Sequence, residues 1–312
     1  MALAITERQA REIEVFCQIA RENGAVISLR ELIGLAAIDA SEPEVATAFS
    51  SDTKLSSKFL LESGYVLEKL PVEYETPRQT VEEEERRRER AWANLRKADR
   101  FGRSLISGTV VLSVSGANSF LSAMEDEDID FFCVTRTNGL WPFLLKALIL
   151  ARIHRLSTSD VPELCFSCIM DEEWARKEFS SKQKPIFARD ALTAKVIGGK
   201  VALDALIEEA EWMKDYFPTF YRMRLRETSP EDRRSFRDEA EKRRAPSVLN
   251  YLVYLTLGSF LKMKSWALNR KFTKAARHSA IFTTKIGPGH YIYESNRYRK
   301  LRRMYGELET SR

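Results

Sequence analysis

Apolar positions recur at helical spacing through about the first 62 residues and again from about residue 188 onward. Between about 109 and 170 they come instead in short alternating or continuous runs. The first block predicts a helix over about 7–21, and a second opened by the capping box Ser28-Leu29-Arg30-Glu31. A third is expected between about 52 and 62, stopping at Gly64, and residues 65–74 then alternate as a short hairpin does. Residues 78–104 read as one long helix. Glu82, Glu83 and Glu84 stand four residues before Arg86, Arg87 and Arg88, the favourable order for ion pairs along a solvated face. Trp92, Leu95, Phe101 and Leu105 form the stripe expected to dock on the next part of the chain. In the middle block, 109–115, 128–135 and 163–169 read as strands, and 117–124 and 139–155 as helices, with Pro142 tolerated in a first turn. Strands alternating with helices predict an α/β domain. Beyond it only helices are expected, near 188–197, 200–215, 231–244, 246–268 and 294–306. The resulting plan has a unit over 1–75, a connecting helix over 76–104, an α/β core over 105–200 and a helical C-terminal region over 201–312.

Three helices followed by a hairpin outline a winged helix, which suggests DNA. Charge opposes that reading: residues 1–75 hold 7 Lys/Arg and 13 Asp/Glu, a net of −6. Phosphate contacts supply most of the affinity for DNA, so DNA binding by 1–75 is not expected, and a structural or protein-contact role is. The whole chain of 312 residues carries +5, but residues 262–312 hold 13 Lys/Arg against 3 Asp/Glu. Within that basic end, Arg297, Arg299, Lys300, Arg302 and Arg303 alternate with Tyr293, Tyr298 and Tyr305. The pattern fits an RNA contact through 297–303, or an amphipathic helix docked on the acidic body.

With 44% apolar and 30% charged residues, disordered and fibrous classes are excluded. Cys17, Cys133, Cys165 and Cys168 are too scattered for a disulfide scaffold and read as reduced residues of a cytoplasmic protein. Cys165 and Cys168 lie in an expected strand, where i and i+3 diverge to opposite faces, so a metal or redox pair is not expected. The first residues lack the basic and long apolar stretches of a signal peptide. Residues 247–263 raise the membrane question, but with Asn250 and Lys262 they fall short of about 20 clean apolar positions, and a buried helix is expected.

The chemistry concentrates in Val114-Ser115-Gly116-Ala117-Asn118-Ser119 and, after it, Asp128-Ile129-Asp130-Phe131. A strand ending in Ser-Gly before a helix start offers backbone N–H groups to an anion, and glycine lets a phosphate come close. The i,i+2 spacing puts both aspartates on one face of a strand while Ile129 and Phe131 turn inward. Two adjacent carboxylates repel unless a cation offsets them, and their hard oxygens suit Mg²⁺ or Mn²⁺. His154, His278 and His290 are isolated, and neither a Ser/His/Asp set nor a Walker lysine loop is present. Gly287-Pro288-Gly289-His290 reads as a turn.

These residues resemble the signature of the DNA polymerase β-like nucleotidyltransferase superfamily: a hydrophobic residue, Gly and Ser, about ten residues, then Asp-hydrophobic-Asp. The N-terminal helical unit, the Arg-rich helix, Leu140-Trp141 and Glu163-Leu164-Cys165-Phe166 are similar to a prokaryotic nucleotidyltransferase-like group with a winged helix, over roughly residues 5–220. The resemblance implies a mixed-sheet core that binds an NTP and moves NMP to a small-molecule, RNA or protein acceptor. It implies metal ligation by Asp128 and Asp130, a third carboxylate in Glu163 (with Asp160 and Asp171 as rivals), and nucleotide binding by Ser115, Gly116, Ala117 and Ser119. The usual Gly-Ser is Gly116-Ala117 here, with Ser115 before the glycine and Ser119 after it, so the hydroxyl expected at the phosphates is displaced or missing. A non-catalytic nucleotidyltransferase-fold module is the alternative that this departure raises.

Overall fold

Four helices begin at capping boxes that the sequence itself carries: Thr6 with Gln9, Ser28 with Glu31, Ser41 with Glu44 and Thr76 with Gln79. They open α1 (Glu7–Glu22), α2 (Leu29–Leu35), α3 (Glu42–Ser51) and a long helix at Pro77. The computed structural model describes residues 5–38, 40–69, 76–157, 162–239, 247–276 and 282–310. A short strand β1 (Ile27–Ser28) precedes α2, and α4 (Thr53–Lys58) comes after α3. The expected third helix divides there. Phe59–Glu62 is strand β2, not helix, and pairs with β3 (Tyr65–Glu68) across a turn at Ser63 and Gly64, whose φ is +83°. The hairpin therefore lies over 59–68, and residues 70–75, where the sequence pattern puts its second arm, are outside the described residues. With β1 added, the small sheet has the order β1-β3-β2.

The long helix is α5 (Pro77–Gly102). Its packed side is built from Val81, Ala91, Asn94, Ala98 and Phe101; of the expected stripe, Leu95, Phe101 and Leu105 pack into the core, while Trp92 is half exposed. Small residues at Ala91 and Ala98 let the helix approach closely. Nor is the Glu/Arg run wholly solvated: Glu84 is buried, with Arg87 3.8 Å away, and Arg88 reaches Glu31 at 2.8 Å.

The rest of the chain is mixed α/β. In order it gives β4 (Thr109–Val114), α6 (Gly116–Ser119), β5 (Ile129–Thr135), α7 (Leu140–Ser157), β6 (Leu164–Asp171), α8 (Glu172–Ser180) and α9 (Pro185–Thr193). Then come β7 (Lys195–Gly198), α10 (Lys200–Glu209), α11 (Met213–Tyr216), α12 (Pro218–Leu225) and α13 (Pro230–Asp238). After α14 (Ser247–Val253), a π-turn (Tyr254–Gly258) leads into α15 (Ser259–Ala276). β8 (Phe282–Gly287), β9 (His290–Ser295) and α16 (Asn296–Thr310) complete the chain. The six-stranded sheet has the order β7-β4-β5-β6-β9-β8; β5 and β6 run parallel and the other neighbours antiparallel. Three of these strands correct the all-helical expectation beyond residue 188: β7, β8 and β9 extend the sheet at both edges, so 201–312 is not a purely helical region. The turn expected at Gly287–His290 is the β8–β9 turn.

Period two divides the sheet into two faces. Val111, Phe132, Val134 and Met170 point into a core shared with α8, α9, α10 and α16, and this core continues into the N-terminal unit through Phe16, which lies 6.4 Å from Phe217 and 6.1 Å from Tyr305. Leu112, Val114, Ile129, Phe131, Phe166 and Ile169 point the other way, against α5, α7 and one side of the α14–α15 helix. That last helix is expected from sequence to be buried, yet the sheet covers only one side of it. Asn250 and Gly258 are buried, while Val248, Leu252, Phe260 and Met263 face solvent. Among the described residues, no helix is long and apolar enough to cross a membrane.

Candidate functional site

The apolar run of β4 ends at Val114, opposite Phe131, and Ser115 N–H then donates to the carbonyl of Asp130 at 2.9 Å. Antiparallel register thus brings the end of β4 to the start of β5. Gly116 turns the chain there with φ +69°, a conformation disfavoured for L side chains. A Cβ at Gly116 would stand 3.0 Å from Asp130 Oδ2, so only glycine leaves that carboxylate an open flank. α6 is a single turn of four residues. Within it the Ser119 hydroxyl donates back to the Gly116 carbonyl at 2.8 Å and is buried, so Ser119 is not brought to the site as the resemblance implied. Ser115, Gly116 and Ala117 are.

Ile129 and Phe131 fill the core against α5 and α7, which leaves Asp130 on the opposite face, at the floor of a cleft of about 920 Å³. Burial pushes the Asp130 carboxyl up to about 6; hydrogen bonds from Ser167 and Cys165 oppose this, and the Asp128 charge adds to it. Asp128 is more exposed, and its carboxyl is raised by partial burial, then by Glu163 and Glu127. Its backbone is fixed by a relay that the sequence does not reveal. Asn94 of α5 donates to Asn118 Oδ1 at 3.0 Å, and Asn118 Nδ2 donates to the Asp128 carbonyl at 2.8 Å. Both amides are buried, and the signal for them in the sequence is only an Asn on the packed side of each helix.

Glu163 does not join the two aspartates in the cleft. Its carbonyl accepts from Ile129 N–H at 2.8 Å, but its side chain is exposed, 3.9 Å from Arg155. Asp171 lies at the far end of the parallel pair, opposite Thr135, roughly 20 Å along the strand by strand rise. There it caps α8 by accepting from Trp174 N–H at 2.9 Å. Asp160 is outside the described residues. Among the described residues no group of three His, Cys, Asp or Glu could hold a metal. The donor set is limited to the two carboxylates of Asp128 and Asp130, both of which line the cleft. It does not fit an ion caged by protein alone.

The cleft's other walls come from distant parts of the chain. Glu84 and Arg87 of α5 line it, as do Tyr293 of β9 and Arg297, Tyr298 and Arg302 of α16. Arg189 is buried with its guanidinium 4.7 Å from the Phe120 ring and 4.8 Å from the Tyr305 ring, and it pairs with Asp190 at 2.5 Å. The basic tail is engaged with the body: Arg297 meets Glu127 at 3.0 Å, Lys300 meets Glu22 at 2.5 Å and Arg302 meets Glu294 at 2.9 Å. Cys165 and Cys168 also correct an expectation. Asp130 pairs with Cys165 but Phe132 with Cys168, so a bulge in β6 brings both thiols to the cleft rather than to opposite faces. Burial raises both, Cys168 to about 12, which leaves neither a ready metal ligand. His290 stacks on Trp174 at 4.0 Å and burial lowers its pKa; His154 packs 5.5 Å from Phe101; His278 is outside the described residues. Comparison with family profiles, with curated proteins and with solved structures gives no match.

Proposed function

We propose that the protein is a Mg²⁺- or Mn²⁺-dependent nucleotidyltransferase that moves NMP from an NTP to an acceptor hydroxyl or phosphate. One observation carries the reading: the glycine turn at the end of β4 and the Asp128–Asp130 pair at the start of β5 converge on one cleft, with Gly116 leaving the Asp130 carboxylate an open flank. A bound metal would neutralise charge on the phosphates and on the leaving group. Asp128 and Asp130 would hold it. The residues of this chain would do the rest. Gly116 admits a phosphate to the Asp130 flank, and Ser115 and Ala117 border it. Ser167 and Cys165 orient the Asp130 carboxylate by donating to it. Asn94 and Asn118 hold the Asp128 backbone in register. The N-terminal unit, read as a winged helix, serves as a wall of the cleft.

A second reading, a nucleotide-binding module without turnover, is favoured by three specific features. Ala117 stands where the resemblance expects the phosphate-binding hydroxyl, Ser119 is turned inward, and Glu163 is exposed beside Arg155. One experiment separates the two. The full chain is incubated with Mg²⁺, each NTP and an acceptor mixture of small-molecule alcohols and phosphates, RNA and protein, and both pyrophosphate release and the shift in Tm are measured. Release that disappears in Asp130→Asn supports transfer. A Tm shift that needs Mg²⁺ and NTP together, without release, selects the binding module. Neither signal with any NTP overturns both.

A further inference from the structure

The helices on the far side of the sheet break the ordinary rule that outward positions are polar. On α7, Leu145, Ile149, Ile153 and Leu156 are exposed at steps of four, four and three, one stripe of a helix; Leu156 is 74% exposed. On the continuous helix of residues 247–276, Val248, Leu252, Leu255, Phe260, Met263 and Trp266 are exposed in the same manner, with Val248 at 70% and Met263 at 61%. The five-residue step from Leu255 to Phe260 spans the π-turn, whose extra residue keeps the stripe aligned. The two helices pack on each other through Trp141, whose backbone N–H donates to Asn250 at 2.9 Å and whose ring lies 5.3 Å from Tyr254. Both belong to the layer opposite Asp130.

Charge says what covers this layer. Neither helix contains an Asp or Glu, while Lys146, Arg152 and Arg155 on α7 and Lys262, Lys264 and Arg270 on the longer helix are exposed. Two of these cations sit beside aromatic rings: Lys262 lies 5.5 Å from the Tyr254 ring and Arg270 5.1 Å from the Trp266 ring. Basic heads next to exposed apolar and aromatic side chains, on a helix unable to span, are the composition of an interfacial helix. A second copy of the chain fits poorly, because a two-fold contact would set this all-basic face against itself. A phosphate backbone alone leaves the Leu, Ile, Val and Met side chains unexplained.

We propose that α7 and the helix of residues 247–276 form a docking face for the surface of an anionic lipid bilayer, with the apolar stripes entering the headgroup layer and the Lys and Arg side chains meeting lipid phosphates and carboxylates. The cleft, on the other face of the sheet, stays open to water in that orientation. The proposal does not depend on the transfer reaction.

The test is co-sedimentation of the full chain with vesicles of phosphatidylcholine alone and of phosphatidylcholine with phosphatidylserine. The expected result is binding to the mixed vesicles only, weakened by salt. Replacing Lys262, Lys264 and Arg270 with Gln should lower partitioning about fivefold per charge. Leu252→Ser with Met263→Ser should lower it as well while the Tm stays put, since both side chains already face water. Loss of binding with the charges but no effect of the serine pair would overturn insertion. No binding to the mixed vesicles at low salt overturns the proposal. So does a concentration-dependent dimer dispersed by the serine pair, or binding to single-stranded RNA without binding to vesicles.

Discussion

The two faces of the central sheet depart from ordinary burial in opposite directions. On the Asp130 face charge is drawn inside: Glu84, Arg189, Asp204 and Arg224 are all buried. On the other face apolar side chains are left outside, along α7 and the α14–α15 helix. Buried charge survives only where a partner or ligand compensates it, and exposed apolar surface persists where something covers it. Departures from the local rules tend to mark function. Two such departures lie back to back in this fold. The comparison breaks if the buried charges prove purely structural or the exposed face proves inert.

The largest effect is expected at Asp130. If the cleft transfers NMP, Asp130→Asn should lower transfer by on the order of a thousandfold, about 4 kcal/mol of transition-state stabilisation, while the fold persists. The same change has an opposite effect on stability. The folded-state pKa of Asp130, about 6, lies above its unfolded value, so the folded protein holds the proton more tightly. Its favourable contribution is complete below about pH 4 and is lost as the pH rises through about 6. In metal-free protein, Asp130→Asn should therefore raise stability at pH 7 by on the order of 2 kcal/mol and flatten the fall in Tm between about pH 4 and 7. Thermal melts in EDTA across that range check it. An Asn variant no more stable than the parent at pH 7 would show that the buried carboxylate has a cationic partner besides its Ser167 and Cys165 donors.

Asp204 is the contrasting case, a buried carboxylate satisfied within the chain by a cation. It is fully buried, accepts from Arg224 Nε at 2.7 Å and from Thr228 Oγ1 at 2.9 Å, and lies outside the cleft. Asp204→Ala strands the Arg224 charge and should cost about 3–5 kcal/mol in denaturant unfolding, with no rescue by Mg²⁺. Mg²⁺ rescue there would erase the distinction.

The relay from Asn94 to Asn118 comes next. Asn118→Ala leaves a buried Asn94 amide without its acceptor and frees the Asp128 carbonyl. A loss of about 1–3 kcal/mol is expected, with the Mg²⁺-dependent Tm shift reduced alongside it. A stability loss that leaves the metal shift intact would make the relay structural only.

How legible each element is in the sequence depends on how strongly its pattern is constrained. β4, β5 and β6 are legible because they are buried on both faces and therefore nearly continuous in apolar residues. The convergence of Gly116 and Asp130 is legible for a related reason: a strand, one tight turn and a strand leave little freedom. Edge strands hide. Thr283, Thr284 and Lys285 are partly or wholly exposed and carry no alternation that distinguishes them from loop. The bulge that realigns Cys165 and Cys168 is a one-residue irregularity that no period-two reading can register. Glu163 stands just before β6, and its exposed side chain lies 3.9 Å from Arg155, a neighbour that the sequence pattern does not announce. The stretch 247–263 is legible as helix but not as half exposed. Hydropathy reports what a side chain prefers, whereas only the sheet's width decides which side gets covered.

The smallest expected effect tests the exposed face. Leu112 and Leu252 are both leucines, on opposite terms with the core: Leu112 is fully buried in β4, and Leu252 is 56% exposed on α14. Leu112→Ala should cost about 2–5 kcal/mol through lost burial and a cavity. Leu252→Ser removes little buried surface and should change stability by no more than about 0.5 kcal/mol in vesicle-free buffer. The comparison predicts that this near-silent variant still loses partitioning onto phosphatidylserine vesicles, because only there does Leu252 leave water. Parallel urea unfolding and vesicle sedimentation of the same variant decide it. If Leu252→Ser instead costs as much as a core truncation, the side chain is covered in the free protein by contacts within the chain or with a second copy, and the outer face is not open to a membrane.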